Sequence, residues 1–393
     1  MVAPRRTGWL AAVHPAATTL SPTRDTVVAF DLEGRPSSWL TGGDTFKRSL
    51  ASDVYGRRTV HGTRRRWRVA PDRAHALFER ALEVATEARR ALAGGERLTD
   101  PAHEAELTSR LERIAAWTPG VLQDERHRFA RAYAPLSILP PDQYGAVVLQ
   151  ATFGCSWNRC TYCTFYQGRP FQVRPLDAFD AHVAEVRALL GRAAAGRAGV
   201  FLADGNALVL SNDRLRPLFE AATATFPDRP VAGFVDVFSG ERKPREAWRE
   251  LRELGLRRVA IGVETGHDPL LAYVNKPGSA ADAADFVHLL KEAGLEVAVI
   301  LMVGVGGRRY AEGHARDSAR LLARLPLGTG DIVYLSPFVR HEDAPYAQRA
   351  EADGLEDLSD AERQAQEHTL RQAAREAVPA ARVARYHIDE FVY

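Results

Sequence analysis

The stretch A-T-F-G-C-S-W-N-R-C-T-Y-C, residues 151–163, holds every cysteine of the chain: Cys155, Cys160 and Cys163. An odd, tightly clustered set of cysteines is a poor disulfide framework and a good set of metal ligands. Thiolates must stay reduced to bind a metal, so we expect the protein in a reducing compartment, the cytoplasm.

Three thiolates on one loop can hold three corners of a metal cluster or three positions on a zinc ion. A plant-type ferredoxin begins with this cysteine spacing but needs a fourth cysteine, which the sequence lacks. Structural zinc would need a histidine or carboxylate as fourth ligand, and the nearest histidine, His182, falls inside a predicted amphipathic helix. The pattern favours a cubane iron–sulfur cluster with one iron open to substrate or cofactor.

Composition sets broader limits on the class of protein. At roughly 150 residues per domain, 393 residues predict two or three structural units. Hydrophobic residues at 46% and charged residues at 26% are typical of globular proteins and argue against a disordered, collagenous or coiled-coil chain. Because 52 basic residues nearly balance 50 acidic ones, charge gives no reason to expect a nucleic-acid partner. No apolar run of about 18 residues predicts a membrane span.

From Tyr144 onward, short apolar strands alternate with helical patterns. The clearest helical pattern begins at Pro175, where apolar residues recur in steps of three and four. This alternation predicts a parallel sheet with right-handed crossovers, and six units are too few for a closed eightfold barrel. An open partial barrel or a doubly wound sheet remains. The strands are predicted to start near Ala146, Val200, Val231, Val259, Val297 and Ile332.

The flanking regions differ from this alternation. Residues 1–143 are predicted to form an N-terminal mixed α/β extension, with a strand at Val27–Phe30 and a helix over Pro71–Ala93. Six arginines between positions 57 and 68 are interpreted as a solvated loop or helix face, with a docking patch for an acidic redox partner or an anionic substrate as the alternative. The partial barrel is predicted over 144–340, followed by a C-terminal helical tail at 341–393.

The cysteine loop, with the aromatic Tyr162 one place before its last cysteine, resembles the cluster loop of the radical S-adenosylmethionine (radical SAM) superfamily. The segments R-V-A-I-G-V-E-T-G at 258–266, V-N-K-P at 274–277 and L-M-V-G-V-G-G at 301–307 resemble the branch of methylthiotransferases, the elongator catalytic subunit and oxygen-independent coproporphyrinogen oxidases. Two departures stand out. Four residues, where the commonest loop has three, separate Cys155 from Cys160, and Ala203-Asp204-Gly205-Asn206 replaces the family's Gly-Gly-Glu.

The resemblance implies an α/β fold with a partial (βα)6 TIM-type barrel. It further implies an enzyme that reductively cleaves S-adenosylmethionine at a 4Fe–4S cluster. The resulting 5′-deoxyadenosyl radical would abstract hydrogen from a small-molecule substrate, and flavodoxin or ferredoxin would supply the electron. The three cysteines would ligate the cluster, and the residues implied in binding S-adenosylmethionine are Tyr162, Asp204, Gly205, Asn206, Asp236 and Glu264.

Each assignment has a plainer alternative. In the plainer reading, Asp204 to Asn206 form a strand-to-helix turn without binding a cofactor. Asp236 is then an acidic residue at a helix N-terminus, and Glu264 caps a turn or pairs with Arg258. The protein as a whole is then a non-catalytic scaffold whose cysteines hold structural zinc or a degenerate cluster. Within the radical SAM reading, the sequence has no second cysteine cluster, no D-x-H-x-x-G cobalamin motif and no terminal module resembling an RNA-binding domain, so a small-molecule substrate is the expectation.

Overall fold

The structure is a computed structural model that describes residues 9–60, 63–388 and 391–393. Contacts divide the chain into two compact units. The first runs to Ala134 and includes Ala184–Arg197 and Val392–Tyr393, and the second comprises Pro135–Val183 and Ala198–Phe391. The predicted domain boundaries after residues 143 and 340 stay predictions.

The first unit contains an antiparallel sheet in which each strand pairs with the next along the chain. Apolar residues alternate with polar ones, so that Leu20, Phe30 and Phe46 are buried on one face. Helices supply the other side of this core through residues such as Phe78 and Leu107. The strands are β1 Leu10–His14, β2 Ala17–Thr23, β3 Thr26–Phe30, β4 Pro36–Thr41, β5 Asp44–Arg48, β6 Val54–Val60 and β7 Thr63–Arg68. The helices are α1 Pro71–Ala93, α2 Glu104–Ala115 and α3 Pro119–Ala132.

The arginine run lies on β6 and β7, so its interpretation as a loop or helix face is wrong. Arg57 lies opposite Arg66, and Arg58 opposite Arg65, in this antiparallel pair. Arginine has little preference for strands, which is why composition alone concealed the pairing. The side chain of Arg64 lies outside the described residues, and the docking patch stays a prediction.

The second unit contains a parallel sheet of the predicted kind. Its strands are β8 Val147–Gln150, β11 Val200–Ala203, β12 Val231–Phe234, β13 Leu256–Glu264, β14 Glu296–Val303, β15 Ile332–Pro337 and β16 Arg382–Arg385, in that spatial order. A small antiparallel ribbon of β9 Thr152–Phe153 and β10 Gln172–Val173 flanks the cysteine loop. The edge strands β8 and β16 do not pair with each other in the described sheet, so the barrel is open and the predicted fold class is confirmed.

Helices connect the parallel strands. They are α4 Leu176–Leu190, α5 Asn212–Thr225, α6 Val237–Gly240, α7 Arg245–Glu253, α8 Asp268–Tyr273, α9 Ala280–Glu292, α10 Gly307–Leu322, α11 Pro345–Ala352 and α12 Asp360–Ala377. Ser279 caps α9 in a capping box with Asp282, which fixes where that helix begins. Among the described residues, none of the helices combines the length and apolar character needed to cross a membrane.

The seventh parallel strand, β16, lies in the segment predicted as a helical tail. It pairs with β15 in register, with Val333 opposite Val383. Its sequence Arg-Val-Ala-Arg is short and polar at both ends, which suits an edge strand and gives little periodic signal. This strand brings the C-terminal segment to the sheet that carries the candidate site.

Candidate functional site

A pocket that is open to solvent lies in the second unit at the carboxyl ends of the parallel strands. Reactive groups gather at this end in parallel βα barrels. All three cysteines line the pocket, together with Tyr162, Gly205, Asp236, Glu264 and Lys276. The structure therefore brings together seven of the nine site residues predicted from sequence, while Asp204 and Asn206 lie beside the pocket without lining it.

The cysteine loop is held in shape by its own backbone. Asn158 has a left-handed φ of 47°, and its side-chain amide donates to the carbonyls of Tyr166 at 2.8 Å and Arg169 at 3.0 Å. The Cys163 N–H donates to the Cys160 carbonyl at 3.2 Å, which closes a tight turn between these two thiols. The three cysteines are free of disulfides and half-buried.

The thiols are poor acids in the absence of a metal. Burial raises the pKa of Cys160 to about 12, against the opposing charge of Lys276, and burial likewise raises the pKa of Cys163. Metal coordination deprotonates a thiol outright, so a metal would reverse this preference. Across the described residues, no three His, Cys, Asp or Glu side chains are gathered as a site for a single metal ion. The all-thiol donor set on one pocket wall fits an iron–sulfur cluster.

Glu264 points its carboxylate at the pocket from a distorted strand end. It is the last residue of β13, follows a register irregularity, and has a left-handed φ of 66°. A β-bulge redirects side chains in this way, and a left-handed non-glycine residue is typical of functional sites. At Gly262 an added Cβ would lie 2.3 Å from Glu264 Oε1, so a larger residue there would displace this carboxylate from its observed position.

Glu264 forms an ion pair with Lys276, whose Nζ lies 3.1 Å from Oε1. Their side chains are only 11% and 12% exposed, respectively. Burial disfavours the Lys276 ammonium, but the charges of Glu264 and Cys160 outweigh it and raise the pKa of Lys276. Tyr162 donates its hydroxyl to Glu264, and burial together with this carboxylate holds the pKa of Tyr162 well above its ordinary value.

The predicted ion pair between Glu264 and Arg258 is wrong. Arg258 instead donates to Asp142 at 2.6 Å and to Glu296 at 2.5 Å. Lys276, one of four lysines in the chain, occupies the place predicted for that arginine.

The turn after β11 is arranged differently from the sequence expectation. Asp204 is 4% exposed, and its carboxylate accepts from the Tyr166 hydroxyl at 3.2 Å. Burial raises the pKa of Asp204 to about 6, although the Tyr166 hydroxyl opposes the rise. At Gly205 an added Cβ would lie 2.5 Å from the Tyr166 ring. It is therefore the backbone of Gly205, and not the Asp204 side chain, that faces the pocket.

Asn206 and Asp236 are hydrogen-bonded to each other. The Asp236 N–H donates to Asn206 Oδ1 at 3.0 Å, and the Asn206 amide donates to the Asp236 carboxylate and, at 2.6 Å, to Ser156 Oγ. Asp236 also caps α6 by accepting from the Ser239 N–H at 2.7 Å. Asp236 is thus the helix N-terminal acid of the plainer reading and a lining residue of the pocket at once.

A buried polar network behind Glu264 was missed from sequence. His314, fully buried on α10, donates from Nε2 to the Met302 carbonyl at 2.7 Å, and its Nδ1 accepts from Thr265 Oγ1 at 2.6 Å. The Gly266 N–H donates to Ser318 Oγ at 2.9 Å. The network ties α10 to the turn that follows Glu264. Polar residues four apart on one helix face were the available signal.

The network predicts a pH dependence of stability. Burial lowers the pKa of His314 from 6.5 to about 4, and the charge of His267 adds to this. In the unfolded chain, His314 is therefore protonated below about pH 6.5, whereas in the folded protein it stays neutral down to about pH 4. Stability attributable to His314 is complete above pH 6.5, and up to about 3 kcal/mol is lost as the pH falls through that window.

We expect His314→Gln to flatten the fall of Tm between pH 6.5 and 4.5, measured by thermal unfolding. The exposed His288→Gln is the matched control and should leave the wild-type slope unchanged. Asp204 titrates in the same window with the opposite sign, because its pKa is raised, so slopes are compared between variants. Equal slopes for His314→Gln and wild type would contradict the burial of a neutral imidazole.

Three cysteines that line a pocket at the carboxyl ends of parallel strands are the arrangement expected of a protein with a metal cofactor. Residues 149–317 match the family model of the radical SAM superfamily, which confirms the predicted resemblance over this region. No curated protein matches the chain.

Solved structures with similarity to the chain include three radical SAM or related proteins. The methyltransferase TsrM from Kitasatospora setae, solved with cobalamin and a 4Fe–4S cluster, has 16% identity and a TM-score of 0.41, covering 55% of this chain and 42% of its own. Coproporphyrinogen III oxidase HemN from Escherichia coli has 16% identity and a TM-score of 0.45, covering 63% and 56%. Elp3 from Methanocaldococcus infernus has 12% identity and a TM-score of 0.41, covering 62% and 61%. The matched part is less than two thirds of each of these proteins.

Proposed function

We propose that this protein cleaves S-adenosylmethionine reductively at a 4Fe–4S cluster and uses the 5′-deoxyadenosyl radical to take hydrogen from a small-molecule substrate. The observation that carries the proposal is the shared pocket. Three free cysteines of the superfamily-matched region line the same cavity as Glu264, Lys276 and Asp236.

Cys155, Cys160 and Cys163 would hold the cluster, and a fourth cysteine is absent from the sequence. When bound, the cluster and S-adenosylmethionine supply a one-electron cleavage that yields the 5′-deoxyadenosyl radical. The protein's own contribution is to bind, orient and shield these groups.

The charged residues of the pocket suit a zwitterionic, ribose-bearing cofactor. Glu264 offers a carboxylate acceptor for hydroxyl or amino groups, while its ion pair with Lys276 fixes the carboxylate in place. The Asp236 carboxylate is held by Asn206 and Ser239 and offers a second acceptor. In this proposal, the Gly205 backbone takes the place that the sequence suggested for the Asp204 side chain.

The remaining partners follow from the chemistry of the site. A one-electron donor is required, and flavodoxin or ferredoxin is the class we propose. Free thiol ligands and a low-potential cluster belong in a reducing compartment, so we place the reaction in the cytoplasm.

The test is anaerobic reconstitution with iron and sulfide, followed by dithionite, S-adenosylmethionine and an assay for 5′-deoxyadenosine. We expect a brown protein with broad absorption near ~400 nm, the thiolate–iron signature, and release that depends on reductant. The same preparation stripped with a chelator is the control and should release none. A colourless protein that takes up zinc and excludes iron would instead support the scaffold alternative. Full iron and sulfide without binding of S-adenosylmethionine in a direct titration would contradict the proposal.

A further inference from the structure

Two chemically different groups of side chains line the pocket, and we call them its polar half and its apolar half. The polar half comprises Cys155, Cys160, Cys163, Asp236, Glu264 and Lys276. The apolar half comprises Ile138, Phe234, Ile300, Phe338, Tyr386 and Ile388. In the described lining, every Asp, Glu, Lys or Arg side chain lies in the polar half.

The apolar half is built as part of the buried core. Phe234 and Ile300 come from β12 and β14, Tyr386 follows β16, and Ile138 and Ile388 pack against the same cluster. This continuity makes the surface formed by these five residues a fixed wall of the cavity, while Phe338 packs in a separate cluster that includes Met302.

Polar atoms in this half are turned away from the cavity or lie at its margin. The Tyr386 hydroxyl donates to the Leu139 carbonyl at 2.7 Å, which leaves its ring as the lining surface. Beneath it, Tyr334 donates to Asp142 at 2.7 Å. His341 and Ser336 also line the cavity; His341 is exposed, whereas Ser336, near the end of β15, is 5% exposed.

Among the described residues, this half offers a charged substrate no Asp, Glu, Lys or Arg as a counter-charge, and burying an unpaired charge is strongly unfavourable. An apolar body, in contrast, gains by displacing water from these side chains. The charges of the polar half are already engaged, Lys276 with Glu264 and Asp236 with Asn206 and Ser239.

We propose that the substrate is an uncharged, predominantly apolar small molecule whose hydrocarbon body packs in the apolar half and whose single hydrogen-bonding group reaches Ser336. This inference rests on the proposed function, which places the cluster and S-adenosylmethionine in the polar half.

Three probes of one shape and different charge test it: neutral 2-naphthol, anionic 2-naphthoate and cationic 2-naphthylmethylammonium. Each is titrated by anaerobic equilibrium dialysis at pH 7 against reconstituted protein with S-adenosylmethionine and no reductant. We expect 2-naphthol to bind at least about tenfold more tightly than either charged probe. Ile138→Asp should weaken 2-naphthol at least about tenfold, while the matched control Ile138→Leu stays within about twofold.

Equal or tighter binding of a charged probe would overturn the inference, as would unchanged 2-naphthol binding in Ile138→Asp. If that variant fails to fold, the charge series on the wild-type protein still decides. The 5′-deoxyadenosine assay on the same preparation separates the two proposals. Release of 5′-deoxyadenosine without selective binding of 2-naphthol would contradict the proposed substrate class alone. Selective binding of 2-naphthol without release of 5′-deoxyadenosine would support the apolar subsite and contradict the proposed function.

Discussion

Replacement of Cys160 by alanine is expected to abolish cluster binding and to lower 5′-deoxyadenosine release at least about 1000-fold. Thiolates are the protein's only means of holding an iron–sulfur cluster at this loop, and the chain has no spare cysteine to substitute for a lost ligand. The loss is measured as iron and sulfide per chain after anaerobic reconstitution, as absorption near ~400 nm, and as nucleoside release.

Gln167→Ala is the matched control for this variant. Gln167 is exposed on the same loop and does not line the pocket, so its removal should change neither iron content nor release. A Cys160→Ala protein that kept full iron and full release would show that this cysteine is not a ligand and would refute the site.

The second large effect is expected at the buried ion pair. Lys276→Met leaves the Glu264 carboxylate buried without its counter-charge, and breaking a buried pair from one side costs about 3–5 kcal/mol. We expect Tm to fall by about 5 °C or more, and binding of S-adenosylmethionine to weaken, because Glu264 is no longer held toward the pocket. Thermal unfolding of the metal-free protein and a binding titration of the reconstituted protein measure the two effects.

Two further variants make this result interpretable. The double variant Glu264→Gln, Lys276→Met removes both charges and should regain most of the lost Tm while binding of S-adenosylmethionine stays weak. Arg320→Met breaks an exposed ion pair with Asp317 and should shift Tm by less than about 2 °C, because such pairs contribute little. A double variant as unstable as Lys276→Met would mean that packing, not charge, holds this part of the pocket.

The parallel sheet was accessible from sequence because its strands are apolar throughout and separated by periodic helices. Val200, Val231 and Ile332 are the first residues of their strands, as predicted. The antiparallel sheet of the first unit could not be predicted as a whole from the sequence. Half-exposed strands such as β6 and β7 carry arginines at positions where a periodic apolar signal would be needed. The sequence pattern predicts that the helix α10 starts at Glu312, whereas it begins at Gly307, because the polar Arg308 and Arg309 conceal the first turn.

Within the site, residue types were easier to predict than their partners. The cysteines and Glu264 stand out by spacing and resemblance, but the ion pair of Glu264 with Lys276 depends on a bulge and a left-handed residue that no local pattern encodes. Asp204 shows the same limit, because its contact with Tyr166 joins segments 38 residues apart. Long-range contacts of this kind are set by the packed fold and not by local preference.

The two halves of the pocket are formed largely by different segments of the sequence. Every residue of the polar half falls within 149–317, the region shared with the superfamily, whereas Ile138, Phe338, Tyr386 and Ile388 fall outside it. Under the two proposals, the residues that bind the cofactor and most of the residues that contact the substrate therefore belong to different segments of the chain. An exchange of the flanking segments alone would replace four of the six apolar lining residues and leave the cysteines, Glu264 and Lys276 unchanged.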